Sequence, residues 1–371
     1  MNFIIVDFDH YEMIHSLVRC IEDYSDEIYV CSNEESIKQL QKNSYSNNVI
    51  FKWIVASDGN ELSMQSQLFG NIFFDYVLLN TVYSHFDNVV DWLKGLNYNK
   101  SVLTIHNVNY WFKMGTRFKL FSRPRSKSHA QMLSLIDNVD ALLMLSDNIK
   151  EYALKAYNVK KRIIVFPYSV NENIKVTHSE NDKTTIVIPG IIEKGRKDYD
   201  MVIDAFCSLD KLKYKLVLLG KPKSTYGLEI IEKCKKIESE GFDVKYFDDY
   251  VKQEDFELFM NMSDVVLAPI SINTSYGGIE EKYGQSKETG AVFDIIRYVK
   301  PGIIPKELTT SKDIESACLL YTGKEELSNA LKKINDKNVI RQLRFNALRV
   351  SENYFYKNVA RRFIESLKSI M

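Results

Sequence analysis

The chain has 371 residues, which suffices for about two domains that each bury a full core. Its 49 basic and 49 acidic residues balance, so the overall charge recruits neither nucleic acid nor an anionic membrane. Hydrophobic residues make up 45% of the chain, yet no run approaches the ~18 apolar residues of a membrane span. This composition excludes a disordered chain and a membrane-spanning one.

Cysteine usage and the N-terminus bear on the compartment. The five cysteines are scattered and form no CxxC pair, which favours reduced thiols over disulfides or a zinc site. The N-terminus opens on an apolar run and shows no secretory signal peptide. We therefore expect a cytoplasmic protein.

The first part of the chain alternates short apolar runs with stretches of helical spacing. The runs predicted as strands are 2–8, 27–31, 49–55, 75–80, 101–105, 140–146 and 162–167, and the clearest helices are 11–24 and 148–157. This alternation predicts a parallel, doubly wound sheet, in which ligands bind at the carboxyl ends of the strands. Those ends single out His10 after the first strand and His106, Asn107 and Asn109 after the fifth. An ordinary loop residue is the alternative for His10, because nothing in the sequence converges on it.

Residues 110–127 interleave aromatic side chains with cations and contain no acid. This pattern fits peripheral contact with an anionic lipid surface, at the inner face of a membrane, or a grip on a phosphorylated acceptor. A solvated loop is the alternative. A nucleic-acid site is not expected, because the patch is single and the rest of the chain is neutral.

Hydrophobicity falls in the polar stretch 171–183, which we interpret as a linker between two domains. After it, strands are predicted at 185–188, 215–220, 244–247 and 265–269, and helices at 199–206, 229–240 and 255–262. The predicted domains are 1–170 and 184–351, with a cleft between them where a ligand would bind. A last helix, 352–371, either crosses back to the first domain or packs on its own.

The stretch 283–305 carries the strongest functional signal. Ser286, Thr289 and Gly290 precede an apolar run, which is typical of a loop that opens a helix. The free amides and the dipole of a helix start favour an anion such as a phosphate, and Lys287 adds a cation. Asp294 lies about one turn into the helix, where it would accept hydrogen bonds from a ribose. A capped helix without any ligand is the alternative.

Several segments recur in a fixed order: TIHN at 104–107, DALLMLS at 140–146, FPYSV at 166–170, PGIIEKGRKDYDMVIDAF at 189–206, LVLLGK at 216–221, SDVVLAPIS at 263–271 and KPGIIP at 300–305. Together with the helix before the last segment, they resemble the retaining GT-B glycosyltransferases of the group 1, or family 4-like, type. The resemblance implies an α/β fold of two Rossmann-like domains that face each other across a cleft. It also implies transfer of a hexosyl group from a UDP- or GDP-sugar, with retention, to a glycan, glycolipid or glycoprotein hydroxyl. Bacterial surface polysaccharide or glycoconjugate synthesis is the expected setting, with no metal and no cofactor beyond the donor.

The resemblance assigns three sets of residues. The catalytic candidates are His106, which would line the sugar pocket, and Arg196 and Lys197, which would offset charge on the leaving diphosphate. The donor-binding candidates are Gly190, Tyr250, Ser286, Lys287, Thr289, Gly290 and Asp294. The acceptor-side candidates, in the first domain, are His10, Asn107 and Asn109.

The sequence also departs from the family pattern, which has two glutamates eight residues apart. Counting back from Pro301 places Asp294 at the second position and Ser286 at the first, so the first glutamate is absent. Glu280 and Glu288 keep the spacing in another register. Two alternatives therefore stay open: a non-catalytic GT-B subunit that supports a partner glycosyltransferase, and a nucleotide-sugar epimerase.

Overall fold

The computed structural model describes residues 1–113, 123–174 and 182–370 of the chain. They form two α/β domains, each built on one parallel sheet, which confirms the predicted fold class. A third, two-stranded antiparallel sheet belongs to the second domain.

The first domain contains the strands β1 (Asn2–Asp7), β2 (Glu27–Ser32), β3 (Ile50–Val55), β4 (Phe73–Thr81), β5 (Asn97–Thr104), β6 (Ala141–Met144) and β7 (Arg162–Val165). Its helices are α1 (Tyr11–Ile21), α2 (Glu34–Leu40), α3 (Gly59–Met64), α4 (Phe86–Lys94), α5 (Val108–Phe112), α6 (Arg123–Asn138) and α7 (Asp147–Tyr157). The strands lie in the order β3-β2-β1-β4-β5-β6-β7. In β1, Ile4 and Val6 face one core cluster and Phe3 and Ile5 the other, so both faces of the sheet are covered.

The second domain contains the strands β8 (Thr184–Pro189), β9 (Tyr214–Leu219), β10 (Asp243–Lys245), β11 (Val265–Leu267), β12 (Asn273–Tyr276), β13 (Ile279–Lys282), β14 (Gly302–Pro305) and β15 (Cys318–Tyr321). Its helices, with those that end the chain, are α8 (Tyr199–Phe206), α9 (Ser224–Ser239), α10 (Gln253–Met262), α11 (Gly290–Arg297), α12 (Lys312–Ser316), α13 (Gly323–Lys333), α14 (Lys337–Asn353) and α15 (Tyr356–Lys368). The parallel sheet has the order β10-β9-β8-β11-β14-β15, which repeats the start of the first sheet.

The hairpin of β12 and β13 was not predicted. Gly277 and Gly278 form its two-residue turn, with φ angles of 56° and 75°. Positive φ at both central residues is what a tight hairpin turn requires, so the Gly-Gly pair was the available sequence signal. The hairpin lies between β11 and α11 and reaches the first domain.

Helix α15 crosses back to the first domain. Its Val359, Phe363 and Leu367 belong to the same core cluster as Phe3 of β1. The rings of Phe363 and Phe166 lie 4.7 Å apart. Of the two predicted alternatives for the last helix, the structure therefore has the crossing.

The membrane contact predicted for 110–127 falls largely outside the described residues. Of its aromatic side chains, Trp111 is buried in the first-domain core, and Tyr110 and Phe112 pack against that core. No helix in the described ranges is long and apolar enough to cross a bilayer. A lipid contact of this segment stays a prediction.

Candidate active site

Two rows of polar residues line the cleft between the domains. On one side they follow β1, β4 and β5; on the other they follow β8 and open α11. Both sheets reverse their strand order here, between β1 and β4 and between β8 and β11. Open α/β sheets bind ligands at such reversals, so the cleft is the candidate active site.

Asp7 ends β1 and is fully buried, with four hydrogen-bond donors around its carboxylate. The backbone N–H groups of Asp9 and His10 each donate to Oδ1 at 2.8 Å. The Thr81 hydroxyl donates to Oδ2 at 3.0 Å, and the Asn80 amide donates to the same oxygen. Burial raises the pKa of Asp7, and the positive charge of His10 and these donors lower it. The Asp7 carboxylate, which as an anion only accepts hydrogen bonds, thus lies beneath the floor of the cleft.

His106 follows β5 and contacts the same network. Its Nε2 lies 3.1 Å from the Asn80 carbonyl oxygen and 3.2 Å from Thr81 Oγ1. Burial first, and then the charges of His10 and Lys287, lower the pKa of His106 to about 3. The imidazole is therefore neutral, and the Asn80 carbonyl, which can only accept, requires the proton on Nε2.

His10 lies at the start of α1 with its side chain 32% exposed. Its Nδ1 lies 2.8 Å from Thr81 Oγ1, and its ring stacks on that of His106 at 5.0 Å. On its other side the ring of Tyr168 stands edge-on at 6.0 Å, and Tyr168 lies 5.9 Å from Phe293 of α11. A single tyrosine ring thus separates His10 from the helix predicted to bind the donor.

In the second domain, the loop after β8 packs tightly against the end of β9. Gly190 has a φ of 89°, and a Cβ on Gly220 would lie 2.2 Å from the Gly190 carbonyl oxygen, so only glycine fits at 220. At the other end of the loop, the Lys197 ammonium donates to the Pro189 carbonyl. The loop therefore fixes this ammonium at the carboxyl end of β8.

Arg196, Lys197 and Lys287 form a group of three neighbouring cations. Burial and the Arg196 charge lower the pKa of Lys197 to about 7, although Asp294 raises it. Burial and the same guanidinium lower the pKa of Lys287 to about 8. Arg196 is 48% exposed, and its nearest acid is Glu193 at 3.5 Å. Because the Arg196 charge disfavours the charged form of both lysines, an anion bound beside the three side chains would relieve this repulsion.

Helix α11 begins at Gly290, with Thr289 as its N-cap residue. The Thr289 side chain makes no capping hydrogen bond, and nothing lies within 4 Å of the Cβ position of Gly290, so the helix start is open. Burial raises the pKa of Asp294 to about 7, while Arg297 and Lys197 lower it. Asp294 thus lies close enough to Lys197 for the two charges to interact, and its role toward a ribose stays a prediction.

A separate cavity of ≈ 340 Å³ lies between the domains beside α11, with Glu288, Ser146 and Phe293 among its lining residues and none of the three cations. Burial raises the pKa of Glu288 to about 7, opposed by hydrogen bonds from Ser146 and the Thr289 amide. Glu288 therefore belongs to this cavity and not to the group of three cations.

Contacts between the domains flank the cleft. The Lys287 ammonium donates to Asn107 Oδ1 at 2.8 Å. The Glu281 carboxylate of β13 accepts from the Tyr110 backbone N–H at 2.7 Å, at the start of α5. The rings of Tyr110 and Tyr276 meet edge-on at 4.9 Å. The hairpin of β12 and β13 therefore ties the second domain to α5 of the first.

Ser286 and Asn109 also belong to this domain contact. The buried Ser286 hydroxyl accepts from the Lys282 N–H at 2.8 Å and from the Asn109 amide at 3.3 Å. The Asn109 side-chain oxygen accepts from the hydroxyls of Tyr152 and Tyr157 at 2.9 and 2.6 Å. Because their polar atoms are engaged in this way, we assign Ser286 and Asn109 to the domain contact rather than to donor or acceptor.

Tyr250 lies beyond β10 and is 59% exposed. Burial, and then the charges of Glu35 and Glu12 in the first domain, raise the pKa of Tyr250. The base-binding role expected of Tyr250 stays a prediction.

The structure brings most of the predicted residues to one cleft. The residues placed there are His10, His106, Asn107, Gly190, Arg196, Lys197, Lys287, Thr289, Gly290 and Asp294. Sequence reasoning missed Asp7, Thr81 and Glu281. Asp7 and Thr81 each end an apolar strand with a polar residue, a signal that was available. Within the described ranges, no group of three or more His, Cys, Asp or Glu side chains is placed to hold a metal ion.

Comparison with known proteins supports a shared fold. No protein-family model and no curated protein sequence matches the chain. Among solved structures, HepE from Anabaena in complex with UDP-glucose matches with a TM-score of 0.68 at 13% identity, over 100% of both chains. A glycosyltransferase from Rickettsia africae matches with a TM-score of 0.65 at 13% identity, over 100% of this chain and 98% of its own. The lipopolysaccharide outer core galactosyltransferase WaaB matches with a TM-score of 0.62 at 13% identity, over 100% of both.

Proposed function

We propose that this chain, which has the GT-B fold, is a glycosyltransferase that moves a sugar from a nucleoside diphosphate sugar to an acceptor hydroxyl. One observation carries the proposal: Arg196, Lys197 and Lys287 come together beside the open start of α11. Cations and helix amides are the groups that bind a diphosphate in proteins.

The same groups supply the chemistry. Negative charge develops on the diphosphate as its bond to the anomeric carbon breaks, and cations already in place stabilise that charge. Lys197 and Lys287 have lowered pKa values, so a bound diphosphate would draw protons onto both and strengthen its own binding. The proposal needs no further cofactor for this step.

Asp294 and Tyr250 are the proposed contacts to the nucleoside. Asp294 lies one turn into α11, near enough to Lys197 that the two side chains shift each other's pKa. A carboxylate at that distance from the helix start suits ribose hydroxyls. The exposed ring of Tyr250 is available to stack on a base.

We propose a UDP-hexose as the donor, because HepE is a structural neighbour that binds UDP-glucose. A glycan or lipid-linked acceptor follows from the likeness to WaaB, which acts on the lipopolysaccharide outer core. Surface polysaccharide or glycoconjugate synthesis is the setting this supports. Retention of configuration is proposed from the sequence resemblance alone.

A non-catalytic GT-B subunit is the second candidate. Ser286, in place of the first family glutamate, is the observation that favours it. Against it stand Lys197 and Lys287, two partly buried lysines beside the charge of Arg196, an arrangement that a non-binding scaffold does not need. Donor binding separates the two candidates.

The test is a melting-shift screen over UDP, GDP, CDP and their sugars. A ligand at 100 times its dissociation constant adds ~2.7 kcal/mol of stability, a readable shift. Arg196→Ala should keep the melting temperature of the free protein and lower turnover about 100-fold. Arg341→Ala, at an exposed position on α14, is the matched control and should behave as wild type. No shift with any nucleotide, or full turnover in Arg196→Ala, would refute the proposal.

A further inference from the structure

We propose that the transferred sugar is a uronic acid, and that Lys287 binds its carboxylate. This inference rests on the proposed transferase function and narrows its donor from UDP-hexoses in general to UDP-hexuronates. A hexuronate has a carboxylate where the hexose has its terminal hydroxymethyl group. The site would therefore recognise a charge, and Lys287 would be the residue that determines specificity.

Lys287 lies on the first-domain side of the group of three cations. The Lys197 ammonium donates to the Pro189 carbonyl of its own domain. The Lys287 ammonium instead donates to Asn107 Oδ1 of the first domain at 2.8 Å, and its charge lowers the pKa of His106, the residue before Asn107. Lys287 thus reaches across the cleft, from the cations proposed to bind the diphosphate toward the end of β5.

The backbone fixes the position of Lys287. Its main chain pairs with that of Asn107 in an isolated antiparallel bridge. The carbonyl of the preceding residue, Ser286, accepts from the Val108 N–H at 2.8 Å. Because these contacts join the two domains, the Lys287 side chain starts from a fixed point in the cleft.

The acid that acts on the charge of Lys287 is already engaged elsewhere. Glu281 raises the pKa of Lys287 through its charge. Both oxygens of Glu281 accept from backbone N–H groups of α5, at 2.7 Å from Tyr110 and 3.3 Å from Asn109. A half-buried ammonium whose acidic neighbour is occupied in this way is suited to form charge-assisted hydrogen bonds with an incoming carboxylate.

Two aromatic rings flank the Lys287 ammonium. The ring centroids of Tyr276 and Tyr283 lie 5.1 and 6.0 Å from its nitrogen. Tyr283 is buried, whereas Tyr276 is 39% exposed and can present an apolar face to a sugar ring. An aromatic face beside a cation suits a sugar acid better than a small inorganic anion.

The three cations match a donor with three negative charges. The diphosphate of a nucleotide sugar carries two, which Arg196 and Lys197 would offset together with the amides at the start of α11. A hexuronate carboxylate supplies the third charge, beside Lys287. With a neutral hexose, the half-buried Lys287 ammonium would face only hydroxyl groups.

The test compares the dissociation constants of UDP-glucuronate and UDP-glucose, measured by calorimetry at about pH 7 without an acceptor. UDP-galacturonate and UDP-galactose form a second pair. The members of a pair share the nucleotide and the diphosphate, so the ratio of their dissociation constants isolates the carboxylate. Lys287→Gln keeps an N–H donor for Asn107 without the charge, Lys287→Met removes both, and Lys306→Met, at an exposed lysine of the same domain, is the control.

We expect wild type to bind the uronate of at least one pair about 10-fold to 100-fold more tightly than the hexose, the range of one charge-assisted hydrogen bond. Lys287→Gln and Lys287→Met should each bring this ratio close to one, and Lys306→Met should leave it unchanged. In wild type the ratio should also fall toward one as pH rises above about 8, the pKa of Lys287, because only the charged ammonium favours the carboxylate.

The outcomes separate this inference from the transferase proposal. Equal affinities within both pairs, or a preference that survives in Lys287→Gln, overturn the inference and leave a glycosyltransferase. Equal losses for both members of a pair in the Lys287 variants assign Lys287 to the diphosphate or the domain contact and also overturn it. So does turnover of UDP-glucose that needs Lys287 only when the acceptor carries a carboxylate. A wild type that binds no nucleotide sugar refutes both proposals together.

Discussion

The lowered pKa of Lys197 predicts that donor binding depends on pH. In the free protein this pKa is about 7, because burial and Arg196 disfavour the charged ammonium. A bound diphosphate favours the charged form and so raises the pKa. Between the two pKa values, binding takes up a proton, and affinity is fully present below about pH 7 and falls as pH rises.

The size of the effect follows from the fraction of Lys197 that is charged before binding. With a free pKa of about 7 and a bound value above the range studied, affinity for UDP-glucose should fall roughly 20-fold from pH 6.5 to 8.5. At pH 7.5 the complex should take up about 0.8 proton for this group. UDP-glucose is the better probe than UDP, because its diphosphate is a diester and does not titrate in this window.

Calorimetric titration in two buffers of different ionisation enthalpy counts the protons directly. Lys287, with a pKa of about 8, and Asp294 titrate in the same range, so the assignment to Lys197 needs two variants. Lys197→Arg keeps its charge at every pH, and Lys197→Met never has one. In both variants the dependence of UDP-glucose affinity on pH should lose the contribution of Lys197. Above pH 8 the arginine variant should bind UDP-glucose more tightly than the methionine variant. An unchanged slope in Lys197→Arg, or a proton count near zero in wild type, would refute the reasoning.

Further predictions concern the fold around the site. Gly220→Ala should weaken UDP-glucose binding tenfold or more in a titration, because the new Cβ would lie 2.2 Å from the Gly190 carbonyl oxygen and displace the loop. Phe363→Ala should cost ~3–5 kcal/mol in urea unfolding, because Phe363 is 1% exposed in the core that α15 shares with the first domain. Glu281→Ala should loosen the domain contact by ~1–3 kcal/mol, since it leaves the Tyr110 amide unpaired. The readout is a larger radius of gyration in X-ray scattering, and Glu325→Ala, at an exposed glutamate on α13, should leave the radius unchanged.

The strands of both sheets could be predicted because a strand that is buried on both faces consists of consecutive apolar residues. Phe3, Ile4, Ile5 and Val6 of β1 are all fully buried, and a short run of that kind, rich in β-branched residues, is typical of a strand covered on both faces. The hairpin of β12 and β13 carries mostly exposed polar residues, so only its Gly-Gly turn marked it. The pattern of α15 showed a buried face without showing which domain would cover it.

The sequence predicted more of the second-domain side of the site than of the first-domain side. The second-domain residues lie in short segments with recognisable order. The family resemblance therefore named Arg196 and Lys197, and Asp294 was placed by its spacing after Gly290. The first-domain network joins Asp7 to Thr81, which are 74 residues apart in the sequence. A pairing of that kind depends on β1 and β4 being neighbours in the sheet. The order of strands in a sheet cannot be read from a single sequence.

Ser286 stands where the sequence resemblance would place a glutamate, and its surroundings in the structure suit a serine. Ser286 is fully buried, with its hydroxyl bonded to the Lys282 N–H and its carbonyl accepting from the Val108 N–H at 2.8 Å. A glutamate there would have to bury a charge inside the contact that joins the domains. Glu288, two residues later, lines the cavity beside α11, and burial raises its pKa to about 7. Position 286 thus helps to hold the two domains together, while a carboxyl group lies nearby beside α11.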